Sequence, residues 1–148
     1  MRLVQGIPVL AYSKSDAASP LSSYLLFKTK APKQEKSRAQ VTLCLQFSLY
    51  IDGCDDEQVF VLHYDATHID PDKAQIGPAN IPLPRARLDQ VSRASNPQIR
   101  TLSLTLKREC SVWCRHSCVP RKPRPEDEAP FDQLEKLARA TKLHVLFD

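Results

Sequence analysis

Residues 41 to 51 alternate without a fault: Val41, Leu43, Leu45, Phe47, Leu49 and Ile51 are apolar, with Thr42, Cys44, Gln46, Ser48 and Tyr50 between them. Side chains alternate across a pleated backbone, so the segment predicts a strand with one buried face. Asp52, Gly53, Cys54, Asp55 and Asp56 follow with turn chemistry, and Val59 to Tyr64 is again rich in β-formers. Residues 41–64 are therefore expected to form a β-hairpin with a loop of about five or six residues.

The same reading extends along the chain. Leu3 to Leu10 suits a first strand, with Pro8 confining it to a sheet edge or a bulge. Residues 12–23 have loop composition, Tyr24 to Thr29 is a short strand candidate, and the basic stretch to Arg38 is expected to be an exposed hairpin loop. Pro71, Pro78, Pro82, Pro84 and Pro97 punctuate 65–99, which reads as a long loop; within it Arg85 to Arg93 offers a turn or two of helix, Leu88 and Val91 inward. Ile99 to Leu106 returns to alternation, with Leu102, Leu104 and Leu106 on one face, and Cys110 to Cys114 is expected to continue it after a bend or bulge. Residues 119–130 form a second Pro-rich loop. Phe131, Leu134, Leu137 and Ala138 then make a helical stripe, with Pro130 in the first turn, Glu126, Asp127, Glu128 and Asp132 near its amino end, and Lys136, Arg139 and Lys142 near its carboxyl end. Leu143 to Phe147 has strand character.

A chain of 148 residues suits one core, so residues 1–148 are read as a single β-rich domain with a C-terminal helix. The fold class is α+β, mainly antiparallel β-sheet or barrel. Three Gly against twelve Pro leave no Gly-rich phosphate cradle, and no Gly-x-Ser-x-Gly, Walker or His-Glu-x-x-His motif occurs. No apolar run approaches the ~20 residues of a bilayer span. Five cysteines cannot all pair internally, and the interrupted apolar stretch from Leu3 to Ala11 makes a poor secretory signal. An intracellular protein, nuclear or cytoplasmic, with reduced thiols is expected. The order of elements, strands followed by a helix near the carboxyl end, resembles that of pleckstrin-homology-like barrels; the resemblance implies binding of peptides, proteins or phosphoinositides.

Candidate chemistry is sparse. Cys110, Cys114, His116 and Cys118 have the residue types of a zinc site, but on a strand Cys110 and Cys114 would stand ~13 Å apart, whereas ligands of one zinc lie within ~4 Å of each other. The alternative is that the cysteines are small buried hydrophobes, and no metal or cofactor is expected. His63, Asp65, His68 and Asp70, with Asp72 beyond, bunch closely enough for acid–base or metal chemistry, yet His63 sits in an apolar strand and turn-forming Asp residues explain the rest. No enzyme is expected.

Net charge is +4, and it is segregated. Lys28, Lys30, Lys33, Lys36 and Arg38 face only Glu35 in one basic loop; residues 50–72 carry seven acids and no Lys or Arg; Arg85 to Arg124 is basic again. The leading expectation is a non-enzymatic protein-interaction module, a subunit or domain of an intracellular assembly, with a protein partner or a second copy of the chain. The alternative is nucleic-acid or anionic-ligand binding through basic loops 28–38 and 85–124, with Lys28, Lys30, Lys33, Lys36, Arg38, Arg121, Lys122 and Arg124 as polyanion contacts. Partner contact is expected at Leu143, Val145 and Phe147, which alternate as a strand would; pairing inside the domain is the competing outcome.

Overall fold

The alternation resolves into eight strands in a computed structural model that describes residues 6–13, 20–30, 40–79, 84–93, 97–114 and 123–148. In chain order they are β1 (Ile7–Ser13), β2 (Leu21–Lys30), β3 (Gln40–Leu49), β4 (Gln58–Asp65), β5 (Gln75–Pro78), β6 (Arg100–Thr105), β7 (Ser111–Cys114) and β8 (Lys142–Phe147). Two helices accompany them, α1 (Arg85–Val91) and α2 (Glu128–Arg139), the latter continuing a 3-10 turn at Pro125–Asp127. All eight strands join one antiparallel sheet in the spatial order β5-β6-β8-β1-β2-β3-β4-β7, which is not closed. The class is α+β, mainly β.

Register decides which side chains share the inner face. Leu45 stands opposite Leu25 of β2 and Leu62 of β4, and all three are buried with Leu43, Phe47 and Leu49. Leu134 and Leu137 from the helical stripe enter the same core, and the Phe131 ring meets Phe60 edge-on at 6.2 Å. Pro130 falls in the first turn of α2, where its missing N–H has no helical acceptor to lose. On the outer face Val91 of α1 covers Leu10, Tyr12 and Leu146, so β1 and β8 are buried on both sides.

Several expectations need correction. β2 begins at Leu21, not Tyr24, because Leu21 and Ser23 are buried on its inner face despite the polar composition around them. β3 and β4 are separated by residues 50–57, a longer loop than the turn residues suggest, because Ile51 tucks into the core and bridges Pro123. The stretch 65–99 carries a 3-10 turn (Ala66–His68), β5 and α1, so it is less irregular than its prolines suggest. Leu104 and Leu106 are buried, whereas Leu102 is half-buried, since the short β5 is its only neighbour on the outer side. β7 does not continue β6. The sheet curls until Ile69, beyond β4, bridges Leu106, beyond β6; Asp70 N–H donates to Thr105 O at 2.8 Å and Lys107 N–H to His68 O at 2.7 Å. The chain crosses this junction and β7 pairs with β4 on the opposite sheet margin.

Candidate functional site

At this junction a cleft of about 380 Å³ opens on the outer face. Thr42 comes from β3, His63 and Asp65 from β4, His68 from the 3-10 turn, Arg108 and Glu109 from the crossing segment and Ser111 from β7. Thr42 pairs with Asp65, while Cys44, His63 and Ser111 make the next cross-strand row. The alternation that buries Leu43, Leu62 and Tyr64 therefore turns these polar neighbours outward.

Local hydrogen bonds position the rim. Asp65 Oδ1 accepts the Thr67 N–H at 3.2 Å, capping the turn that carries His68. The Arg108 guanidinium lies against His68 Nε2 as its hydrogen-bond partner. His63 Nε2 is closed to water and has no partner among the described residues. Burial, and then the Lys28 ammonium, push the His63 imidazole below its ordinary 6.5, so it is neutral at neutral pH.

The chemistry available here is narrow. Cys44 stands directly across from His63, but burial pushes its thiol up while the imidazole is pushed down. A thiolate–imidazolium nucleophile requires the reverse shifts. Ser103 and His144 approach to 2.8 Å between β6 and β8, with Tyr12 stacked on the imidazole at 5.1 Å, so that ring is held as a packing element. Asp70 points elsewhere: one carboxylate oxygen accepts the Asp72 N–H at 3.1 Å and the other meets Lys73 Nζ at 3.9 Å. Of the acidic–histidine cluster, His63, Asp65 and His68 converge, while Asp70 and Asp72 do not line the cleft. Among the described residues no group of three or more His, Cys, Asp or Glu is arranged to hold a metal.

The described thiols of the suspected zinc site are kept apart by register. Cys114 pairs with Phe60, whereas Cys110 lies against Tyr64 and its Sγ donates to Ala138 O at 3.5 Å. Phe60 and Tyr64 are four residues apart on β4, ~13 Å at strand rise, too far for one zinc. Burial pushes the Tyr64 hydroxyl and the Cys110 thiol up, and the hydroxyl has no partner within ordinary hydrogen-bond geometry. His116 and Cys118 lie outside the described residues.

Of the polyanion contacts, Lys28 is exposed on β2 and Lys30 ends that strand, whereas Lys33, Lys36, Arg38, Arg121 and Lys122 lie outside the described residues. Arg124 has a structural task. Its backbone N–H donates to Tyr50 O at 3.1 Å, its guanidinium donates to Cys54 O at 2.6 Å, and it stacks 4.8 Å over the Tyr50 ring. Lys30 pairs with Gln40 while Arg124 binds Tyr50, so the two lie near opposite ends of β3, ~30 Å apart at strand rise. Lys30 and Arg124 are thus held apart, whereas Lys28, which pairs with Thr42, and Arg108 flank the cleft that Thr42 lines.

The segment Leu143, Val145 and Phe147 is a strand, but a central one. β8 pairs with β1 along one edge and β6 along the other; Leu143 and Val145 are fully buried and Phe147 is half-buried against the core. Both of its edges are paired within the domain, the arrangement that competes with a partner contact there. The outermost strands are β5 and β7, and their outer edges are unpaired among the described residues. Compared with known proteins, the chain matches no family model, no curated protein and no solved structure.

Proposed function

We propose that this protein is a non-enzymatic interaction module, a subunit or domain of an intracellular assembly, that binds an extended segment of a protein partner along β7. The observation that carries this reading is the unequal character of the two sheet margins. β5 contains Gly77 and ends in Pro78, which blunt an edge. β7 reads Ser-Val-Trp-Cys with neither proline nor charge, and Val112 is 50% exposed. Unpaired N–H and C=O groups on such an edge invite strand addition, in which main-chain bonds supply affinity and alternate side chains supply selectivity. The pleckstrin-homology-like resemblance belongs to this proposal: an open sheet with a helix packed on its inner face is compatible with it, and the strand following that helix is a departure.

Immobilised ten-residue peptides of alternating Val and Thr, kept soluble by Gly-Ser tails, test the reading. Val112→Glu places a charge on the β7 margin and is expected to weaken binding about tenfold, whereas Ile76→Glu on β5 leaves it unchanged. If Ile76→Glu does the damage, or neither substitution matters, the assignment to β7 is wrong. Self-association abolished by Val112→Glu would make the partner a second copy of the chain.

A second reading, nucleic-acid or anionic-ligand binding, is favoured by one observation: Tyr24, 53% exposed, lies on the same face of β2 as exposed Lys28 and puts an aromatic surface on the cation's side of the sheet. Reversing Lys28 and Lys30 to Glu should weaken binding of a single-stranded oligonucleotide and flatten its salt dependence. Unchanged affinity and slope would remove this reading.

A further inference from the structure

Resting on the strand-addition reading, we infer that the cleft beside β7 selects the partner by a basic side chain, Lys or Arg, projecting from the added strand. Ser111 both begins β7 and lines the cleft, so a segment laid along the β7 margin passes the cleft mouth at that end. Paired residues share a face, and Cys44, His63 and Ser111 already form one row; the partner residue opposite Ser111 continues it on the outer face. Asp65 lies one row along, a diagonal of ~7–8 Å for adjacent strands and more here, where β4 is two strands from the added one. Only a long side chain spans it.

The lining sets the sign. Within the lining Asp65 and Glu109 are opposed by Arg108, whose guanidinium already donates to His68, while the Lys28 ammonium acts on His63 from beyond the lining. One oxygen of Asp65 caps the turn; its second oxygen and the Glu109 carboxylate have no ion-pair partner among the described residues. His63 is neutral, and the Thr42 and Ser111 hydroxyls accept as well as donate. Lys28 shares a row with Thr42 and Asp65 and bounds this region on the side away from β7, so a cation meets the carboxylates from the β7 side. An ammonium or guanidinium is thus favoured and a carboxylate repelled.

Three versions of the Val–Thr peptide, with Lys, Gln or Glu at one outward position, read this selectivity. The Lys peptide should bind about threefold to tenfold more tightly than the Gln peptide, with the Glu peptide weakest. Glu109→Gln, an exposed position, should erase most of the Lys advantage while leaving the Gln peptide unaffected; Val112→Glu should weaken all three. Equal binding of the Lys and Gln peptides, both lost with Val112→Glu, overturns the basic-side-chain inference and leaves strand addition standing. Failure of all three peptides to bind overturns both.

Discussion

Replacing Leu45 with Ala perturbs the centre of the sheet. Leu45 is 0% exposed and lies in the middle of β3, between Leu25 and Leu62 on the inner face. The substitution removes three carbons; at ~0.8 kcal/mol per buried methylene the transfer loss is about 2.4 kcal/mol. The cavity left behind raises the total within a range of ~2–5 kcal/mol, because strands hydrogen-bonded on both sides collapse only partly. That is a large part of the ~5–15 kcal/mol available to a domain of this kind. With a mid-range urea slope of about 2 kcal/mol per molar, the midpoint should fall by roughly 1–2.5 M, followed by far-UV circular dichroism. Val41→Ala, on the same strand but 38% exposed, serves as the control and should change stability by less than ~1 kcal/mol. Equal midpoint shifts for the two variants would refute the burial assigned to Leu45 at the centre of the inner face.

Other outcomes follow from single contacts. Asp127 Oδ2 accepts the Tyr50 N–H at 2.6 Å, so Asp127→Ala should cost about 1–3 kcal/mol in urea denaturation, with oligonucleotide affinity unchanged. Deleting residues 143–148 removes a central strand, and with it Asp148, whose carboxylate accepts the Arg93 and Gln98 N–H groups at 2.7 and 3.1 Å; the truncated chain should show no cooperative unfolding transition. Stability should be flat between about pH 6.5 and 9 and fall on both sides. His63, lowered in the fold, binds its proton more readily when unfolded, so stability drops as pH falls below 6.5; Cys44 and Cys110, raised above 9.0, and Tyr64, raised above 10.0, release theirs more readily when unfolded, so stability drops as pH rises past those values. His63→Gln should soften the acid limb, and an unchanged limb would contradict the assigned environment.

Local patterns were legible where one face is buried and the other is not. β3 shows every second side chain, and α2 shows its stripe, because burial there follows the element's own period. β5 was hidden because Gly77 and Pro78 suppress any strand signal, and it exists by pairing with β6, over twenty residues later. The placement of β7 against β4, and of β8 between β1 and β6, depends on pairings between distant segments that alternation cannot rank. In the cleft, His63, Asp65 and His68 were visible as neighbours in sequence. Arg108, Glu109, Thr42 and Ser111 were not, since only the curl that joins Ile69 to Leu106 brings them alongside. Arg124 looked like one more cation in a basic run until Tyr50 and the Cys54 carbonyl claimed it.

Residue-resolved amide exchange during titration with the Lys-bearing peptide distinguishes β7 from β5 as the margin that takes the added strand. Strand addition at β7 should slow exchange of amides within Ser111–Cys114 and leave those of β5 at Gln75–Pro78 unchanged. Protection at β5 instead, or binding with no added protection at β7, would contradict the account.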